Sequence, residues 1–152
     1  MKRIISMLLA VMSVAALTAR GQQKDTAVDA QGLAKALVEK VSFESELTAI
    51  SDEELGYYFQ LPEGCTAAAY MSSGSTAEEV FVIQCKSGDD AAALRASMQE
   101  FLDSQKTEME RYLPAEVDRI NSAIFETYGT CVVLCVTSDT DTANAVIKEY
   151  VG

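Results

Sequence analysis

The cysteines are the side chains of this chain with the clearest chemical potential. Cys65, Cys85, Cys131 and Cys135 form an even set, which is typical of disulfide-bonded exported proteins. A hairpin turning symmetrically about Ser75 would place Cys65 opposite Cys85, near enough for a bond in favourable geometry. Cys65–Cys85 is therefore the candidate disulfide, and four free thiols are the alternative in an envelope that does not oxidise them.

Cys131 and Cys135 are expected to serve as small core residues. Four strand residues separate two side chains by about 13 Å, so these two cysteines cannot bond to each other. They share one face of a predicted strand. A zinc site is disfavoured, because such sites usually bring ligand pairs together on tight turns. We therefore predict neither a metal nor another cofactor.

The carboxylates show no catalytic spacing. The segment 139–142 begins like a calcium loop but lacks the glycine and the closing glutamate of one, so we predict a helix N-cap there. The acids within 44–54 could bind a cation or a basic partner, although such a run is usually a solvated face. No pair stands out for glycoside cleavage, and we assign no catalytic residue.

The aromatic residues give the candidate ligand contacts. Tyr57, Tyr58 and Phe59 are consecutive, and three neighbours on a helix cannot all face inward. At least one should be exposed or cover a neighbouring element. Tyr57, Tyr58 and Tyr70 are thus candidate ligand-binding residues, and cover of the core is the alternative.

Composition excludes several classes of function. The chain has 152 residues, 12 Lys and Arg against 23 Asp and Glu, a formal charge of −11 and no histidine. The absence of histidine removes imidazole-based catalysis. Its acidity argues against nucleic acid as a partner, since such proteins place basic residues against phosphates. A hydrophobic share of 49% is enough to build a core.

Residues 1–21 are predicted to be an export signal. Lys2 and Arg3 precede an apolar run over 4–17 that is too short for an ordinary membrane span. An uncleaved anchor or a buried helix is the alternative. Cleavage after Gly21 would leave nine basic and 23 acidic residues, a formal charge of −14.

The end of this segment looks like a lipoprotein cleavage box. Leu17-Thr18-Ala19 is followed by Arg20, where a lipoprotein carries the lipidated cysteine. Without that thiol no lipid thioether can form, so we expect an exported protein, secreted or associated with the envelope. An ordinary secretory signal explains the same residues.

The mature chain is predicted to hold a tether over 22–28 and one α+β domain over 29–152. Apolar periodicity and turn residues predict a four-stranded, mainly antiparallel sheet made of two strand–strand–helix units. The helices of both units are expected on one face of the sheet, with an additional amphipathic helix before them. The predicted elements are helices over 29–41, 51–59, 89–113 and 142–151, and strands over 65–71, 79–86, 123–128 and 130–137.

The two central strands differ in their expected burial. The strand over 79–86 alternates and is predicted to be half-buried, whereas 131–136 is apolar on both faces. The second face of 131–136 is covered by the helix over 29–41, or it presents Val132, Leu134 and Val136 to a partner.

Residues 57–150 resemble a bacterial family known as DUF4358. The resemblance is carried by 69–74, 77–82, 104–106, 112–117 and the strand after Gly129. It implies an exported, lipoprotein-like domain of a Gram-positive bacterium, although Arg20 departs from the lipidated cysteine. The family has no established catalytic residues, so none transfer.

Together these features predict an exported envelope protein with a binding or structural role rather than a catalytic one. Its partner is undetermined from sequence; another envelope protein is the candidate, and contact with the membrane would be only through the signal or anchor segment. The alternative is an envelope hydrolase that uses carboxylates.

Overall fold

A computed structural model describes residues 27–152. Five strands form one antiparallel sheet in the order β1-β2-β3-β5-β4, with helices packed against it, which confirms the α+β class. The predicted export signal, Arg20 and most of the predicted tether lie outside the described residues. The elements are α1 Ala30–Lys40, β1 Thr48–Ile50, α2 Asp52–Leu55, β2 Thr66–Met71, β3 Glu79–Gln84, α3 Gly88–Tyr112, α4 Glu116–Asn121, β4 Ile124–Tyr128, β5 Cys131–Val136 and α5 Thr140–Val151.

Packing begins before the predicted start of the domain. Val28 is buried, and its N–H donates to Oε1 of Gln84 at 3.0 Å. Asp29 then caps α1 by accepting from the N–H of Gly32. The last residue of the predicted tether therefore belongs to the folded domain.

The prediction of four strands was wrong by one. β1 is only three residues long and pairs antiparallel with β2, Thr48 lying opposite Met71. A segment of that length carries too little alternation to be recognised as a strand. Its conformation comes from hydrogen bonding to the edge of β2 rather than from its own pattern.

The predicted centre of the first hairpin is confirmed. Thr66 pairs with Gln84, and Met71 pairs with Glu79, so the register is symmetric about Ser75. Gly74 has a φ of 95°, a conformation that glycine adopts readily and other residues do not. This register places Cys65 beside Cys85 and brings Glu78 and Glu79 to the end of β3 next to the turn.

The helices lie on both faces of the sheet, which corrects the prediction of a single face. β3 and β5 are buried throughout except at Gln84, so β3 is not the half-buried strand that its alternation predicts. α1 and α5 pack on the face that carries Val80, Val82 and Val133, and α3 packs on the other face. Two central strands that are apolar on both sides need a helical layer on each.

β5 has no apolar face left for a partner. Val132, Leu134 and Val136 lie under α3, and Cys131 and Cys135 lie on the side of α1 and α5. All five side chains are fully buried. The alternative in which Val132, Leu134 and Val136 meet a partner is therefore wrong.

α3 is the longest element and forms one wall of the site described below. Ser87 caps it by accepting from the N–H of Asp90, whereas the sequence placed this role on residues 88–90. Leu94, Met98 and Leu102 form its buried stripe. Among the helices of residues 27–152, none is both long and apolar enough to cross a membrane.

Candidate functional site

A cavity of about 480 Å³ opens between the β2–β3 turn, the segment after α2 and the C-terminal half of α3. Its apolar wall consists of aromatic and thioether side chains, and its polar wall holds carboxyl, amide and hydroxyl groups. The apolar wall is formed by Tyr57, Tyr58, Met71, Phe101 and Met109, and the main polar side chains are Ser72, Thr76, Glu78, Glu79, Ser104, Gln105 and Glu108.

Glu79 is the buried acid of this cavity. It is the first residue of β3, and strand alternation places it on the same face as Phe81 and Ile83, toward α3. Its exposed fraction is 0%. The Nε2 of Gln105 donates to its Oε2 at 3.3 Å.

Two oxygens at this place have no hydrogen-bond partner. They are Oε1 of Glu79 and Oε1 of Gln105, and both are buried. Burial raises the pKa of Glu79 to about 8, although the hydrogen bond from Gln105 acts in the opposite direction. An unpaired buried acceptor costs about 1–3 kcal/mol, so a ligand that donates hydrogen bonds here would remove that cost.

The tyrosines expected to bind a ligand are separated by the fold. Ser51 and Glu54 form a capping box that begins α2; beyond it, Tyr57 and Tyr58 are 78% and 45% exposed at the cavity. The ring of Tyr58 meets that of Phe101 edge-on, with centroids 5.6 Å apart. Tyr70 instead packs against the cluster on the opposite face of the sheet, and it does not line this cavity.

Phe59 shows why consecutive aromatic residues cannot share one role. It is buried and packs against Phe81 and Phe101 beneath the cavity. Tyr57 and Tyr58 are left at the surface by the same turn of the chain. The expectation that at least one of the three is exposed is confirmed.

Glu78 points to the other side of the strand and is fully engaged. Its oxygens accept from the N–H groups of Glu44 and Ser45 and from the hydroxyl of Thr76, at 2.9–3.1 Å. Its exposed fraction is 1%. These bonds hold the segment after α1 against the β2–β3 turn.

Arg119 of α4 completes this second polar cluster. Its guanidinium contacts Glu44 at 2.6 Å and Glu116 at 2.5 Å, and it lies 4.0 Å from Glu78. Glu116 also accepts from the N–H of Ala77 at 2.8 Å. One buried cation thus links α4, the turn and the segment after α1.

The charges that line the cavity have one sign. Glu78, Glu79 and Glu108 are its acids, and neither lysine nor arginine is among the lining residues. Glu108 is exposed, whereas Glu79 is fully buried. The electrostatic potential inside is therefore expected to favour cations.

The thiols lie outside this cavity. Sγ of Cys65 is 3.0 Å from Sγ of Cys85, and all four cysteines are unbonded. Cys131 and Cys135 are core residues, as predicted, and burial raises the pKa of each to about 12. Burial, followed by the contact with Cys65, raises the pKa of Cys85 to about 12 as well.

The acidic loop resembling a calcium site is a helix cap. Oδ1 of Asp139 accepts from the N–H of Thr142 at the start of α5, and Oδ2 accepts from the N–H of Ser42. These bonds lower the pKa of Asp139. Within residues 27–152, no three Cys, Asp or Glu side chains are grouped to hold a metal ion.

Sequence reasoning missed the main polar groups of the site. Glu79, Gln105 and Arg119 were not singled out as candidates. The available signal was the position of Glu79, which is in phase with Phe81 and Ile83 on an apolar strand face. A carboxyl in that position must either be buried or border a cavity.

Comparison with known proteins gives one match. No curated protein and no solved structure is significantly similar to the chain. The family model described as a domain of unknown function, DUF4358, matches residues 39–137. This span runs from the end of α1 to just past β5 and includes every residue that lines the cavity. Since the match covers more than half of the chain, the protein belongs to the DUF4358 family.

Proposed function

We propose that this protein is an exported module of the cell envelope that binds a small molecule in the cavity beside α3. The observation that carries the proposal is Glu79, a fully buried carboxyl with one unpartnered oxygen that borders an open cavity with one aromatic and thioether wall. Ligand sites typically combine an apolar lining with a few convergent polar groups. A carboxyl buried without a structural partner is otherwise costly.

Export is supported by the sequence. The basic head, the short apolar run and the small residues before Gly21 are typical of a signal segment. We propose that the product is soluble outside the cytoplasmic membrane, because Arg20 replaces the lipidated cysteine of a lipoprotein signal.

Binding has more support than hydrolysis by paired carboxylates. Glu78 and Glu79 both border the cavity, but as strand neighbours they point to opposite faces. Glu78 is occupied by hydrogen bonds from the chain. Glu108 is exposed. Glu79 thus has no second free carboxylate opposite it in the cavity.

Methionine methyl groups report directly on occupancy of the cavity. Met71 and Met109 line it, whereas Met98 is buried in the core outside it. We expect at least one of n-hexylamine, n-hexanol and hexanoate to shift the ¹³C-methyl signals of Met71 and Met109 and to leave Met98 unchanged. Signals are assigned with single Met→Leu variants.

Matched tryptophan substitutions locate the effect. Ser104→Trp places an indole in the cavity and should abolish the shifts. Thr107→Trp lies on an exposed part of the same helix outside the lining and should retain them. Absence of any shift with all three probes, or equal shifts in both variants, contradicts the proposed function.

A further inference from the structure

We infer that the cavity selects a primary amine carried on an apolar body, with the ammonium group seated between Glu79 and Gln105. This inference rests on the proposed function and names the class of ligand for the same site. It follows from three independent features of the cavity: its unsatisfied groups, its charge and its walls.

Both unsatisfied groups are acceptors once Glu79 is ionised. Oε1 of Glu79 and Oε1 of Gln105 lack partners, while Oε2 of Glu79 already accepts from Gln105. A ligand group that satisfies both must donate at least two hydrogen bonds. A primary ammonium carries three N–H donors and no acceptor, so it fits this arrangement, whereas a quaternary ammonium has no N–H to donate.

The charge of the cavity selects against anions. Glu79 and the exposed Glu108 line it without a basic residue, whereas Glu78 points away toward Arg119. Ion pairs elsewhere in residues 27–152 use Lys35, Lys40 and Arg119, and none involves Glu79. A carboxylate that is buried without a cation is costly, and an ammonium ligand supplies the missing charge.

The walls fit an apolar body attached to the amine. Tyr58 and Phe101 form an edge-to-face pair, and Met71 and Met109 add flexible thioethers that adapt to different shapes. Aromatic faces also attract cations at distances up to about 6 Å. The ligand class is therefore an alkyl or aralkyl amine rather than a free inorganic cation.

Binding of this ligand is coupled to the release of a proton. In the free protein Glu79 has a pKa raised to about 8 by burial, so it is mostly neutral at pH 6.5. An ammonium beside it favours the carboxylate, and the carboxyl proton passes to solvent. Affinity should therefore rise about twentyfold from pH 6.5 to pH 8.5; the amine itself stays charged, because alkylamines resemble lysine in their pKa of about 10.4.

Other titratable groups around Glu79 are not expected to produce this dependence. From α3 the nearby acid is Glu108, from the turn it is Glu78, and from the segment after α2 the groups are Tyr57 and Tyr58. Behind the turn lie Glu44, Glu116 and Arg119, and across the sheet lies Cys135. Burial raises the pKa of Cys135 to about 12, above the range from pH 6.5 to 8.5, and the Glu79→Gln variant below tests whether any other group contributes.

Calorimetry and methyl NMR with the full-length protein test the inference. We expect n-hexylamine to bind more tightly than n-hexanol and hexyltrimethylammonium at pH 8.5, and hexanoate not to bind. At pH 6.5, titrations in buffers of different ionisation enthalpy should show release of nearly one proton per amine bound. The Met71 and Met109 signals report that binding is in the cavity.

Two variants separate the role of the charge from that of the fold. Glu79→Gln keeps the shape and should weaken amine binding about tenfold or more at pH 8.5 and abolish both the proton release and the pH dependence. Glu100→Gln removes an exposed acid of α3 that does not line the cavity and should change neither.

The outcomes are distinct for the two proposals. Shifts of Met71 and Met109 with n-hexanol or hexanoate but not with n-hexylamine, or amine binding without proton release, overturn the amine assignment and leave a binding cavity. If no probe shifts these methyl groups, the proposed function itself fails. If Glu79→Gln does not fold, the proton release of the unmodified protein still decides the assignment.

Discussion

At the scale of single residues, Glu79 is a buried acid whose carboxyl is not fully satisfied by the fold. Most buried polar side chains of native proteins have hydrogen-bond partners. Glu78, the residue before Glu79, accepts hydrogen bonds at both of its carboxylate oxygens. Glu79 has one hydrogen bond, from Gln105, and an oxygen without any. The contrast between neighbouring glutamates, both of them buried, separates a structural acid from a candidate functional one.

Glu79 should make the protein less stable as the pH rises. Its folded pKa of about 8 exceeds the ordinary 4.5, so the folded state holds a proton that the unfolded state has lost between these values. The contribution of Glu79 to the unfolding free energy is fully present below pH 4.5. It is lost as the pH rises from 4.5 to about 8. Its size is on the order of a few kcal/mol.

Urea unfolding at pH 5.5, 7 and 8.5 measures this loss. Glu79→Gln, which cannot titrate, should flatten the decline in the unfolding free energy, whereas Glu100→Gln should not. An equal decline in the unmodified protein and in Glu79→Gln would show that other groups cause it.

Cys65 and Cys85 form the second residue-scale prediction. We propose that their thiols form a disulfide when an oxidant is supplied, since they are cross-strand neighbours with sulfurs 3.0 Å apart. Oxidised glutathione takes the two electrons: half-buried Cys65 attacks it, one glutathione leaves, and Cys85 displaces the second. The two protons of the protein thiols pass to the two departing glutathione thiolates. The raised pKa of Cys85 should make the second displacement slow near neutral pH.

Thiol counting on the unfolded, unreduced protein checks the pair. After incubation with oxidised glutathione at pH 8.5, we expect two free thiols of four, and the Cys65→Ser variant should form no internal bond. Four free thiols after prolonged incubation would rule the bond out.

At the scale of elements, Arg119 is the link between α4 and the β2–β3 turn that forms part of the cavity. It faces Glu44 and Glu116 directly, and its Nε also donates to the hydroxyl of Ser138. Removing one member of a buried ionic cluster leaves the others without compensation. Loss of Arg119 should also weaken the hydrogen bond that Glu116 accepts from the N–H of Ala77 in the turn.

Arg119→Met should therefore lower the unfolding free energy by about 3–5 kcal/mol. Arg111→Met, at an exposed position near the end of α3, should change it by no more than about 0.5 kcal/mol. The double variant Arg119→Met, Glu116→Gln should regain part of the loss, because one uncompensated charge is then removed. Urea denaturation measures all three, and equal stability of the Arg119 and Arg111 variants would contradict this role.

The elements also show what the sequence could predict and what it could not. The hairpin register about Ser75, the long helix and the N-cap at Asp139 follow from local patterns. β1 does not, because three residues become a strand only beside β2. The alternation over 79–86 predicted half-burial of β3, and the structure shows cover on both faces, since a helix on each side depends on contacts distant in sequence.

The candidate site was only partly predictable for the same reason. Tyr57 and Tyr58 were recognised from their run of aromatic residues, and they line the cavity. Tyr70 shares their residue type but faces the opposite side of the sheet. Gln105 is recognisable only when α3 is placed against β3, because its partner Glu79 is 26 residues away.

At the scale of the whole molecule, an acidic chain folds around a sheet with a helical layer on each face. The helical layers bury both sides of β3 and β5, and the cavity lies at one end of the α3 layer. This arrangement places the candidate site at the edge of the buried core, where a ligand can enter without unfolding a central element. The proposed export of the chain would make that ligand extracytoplasmic.

Processing of the chain tests the proposal of export. The protein isolated from its native host should begin after Gly21 and should remain in the aqueous phase on detergent partitioning. Mass spectrometry should find no lipid on the new N-terminus, because position 20 is an arginine. Recovery of the unprocessed chain in the detergent phase would show an anchor instead.

We propose that the unpartnered oxygen of Glu79 accepts a hydrogen bond from a cationic ligand. The most direct test is ¹³C NMR titration of the Glu79 side-chain carboxyl. The signal is assigned by its loss in Glu79→Gln. In the free protein the carboxyl should titrate near 8, and saturating n-hexylamine should lower that pKa by about three units. A free pKa near the usual value for glutamate, or no change in a complex that shifts Met71 and Met109, would contradict the account.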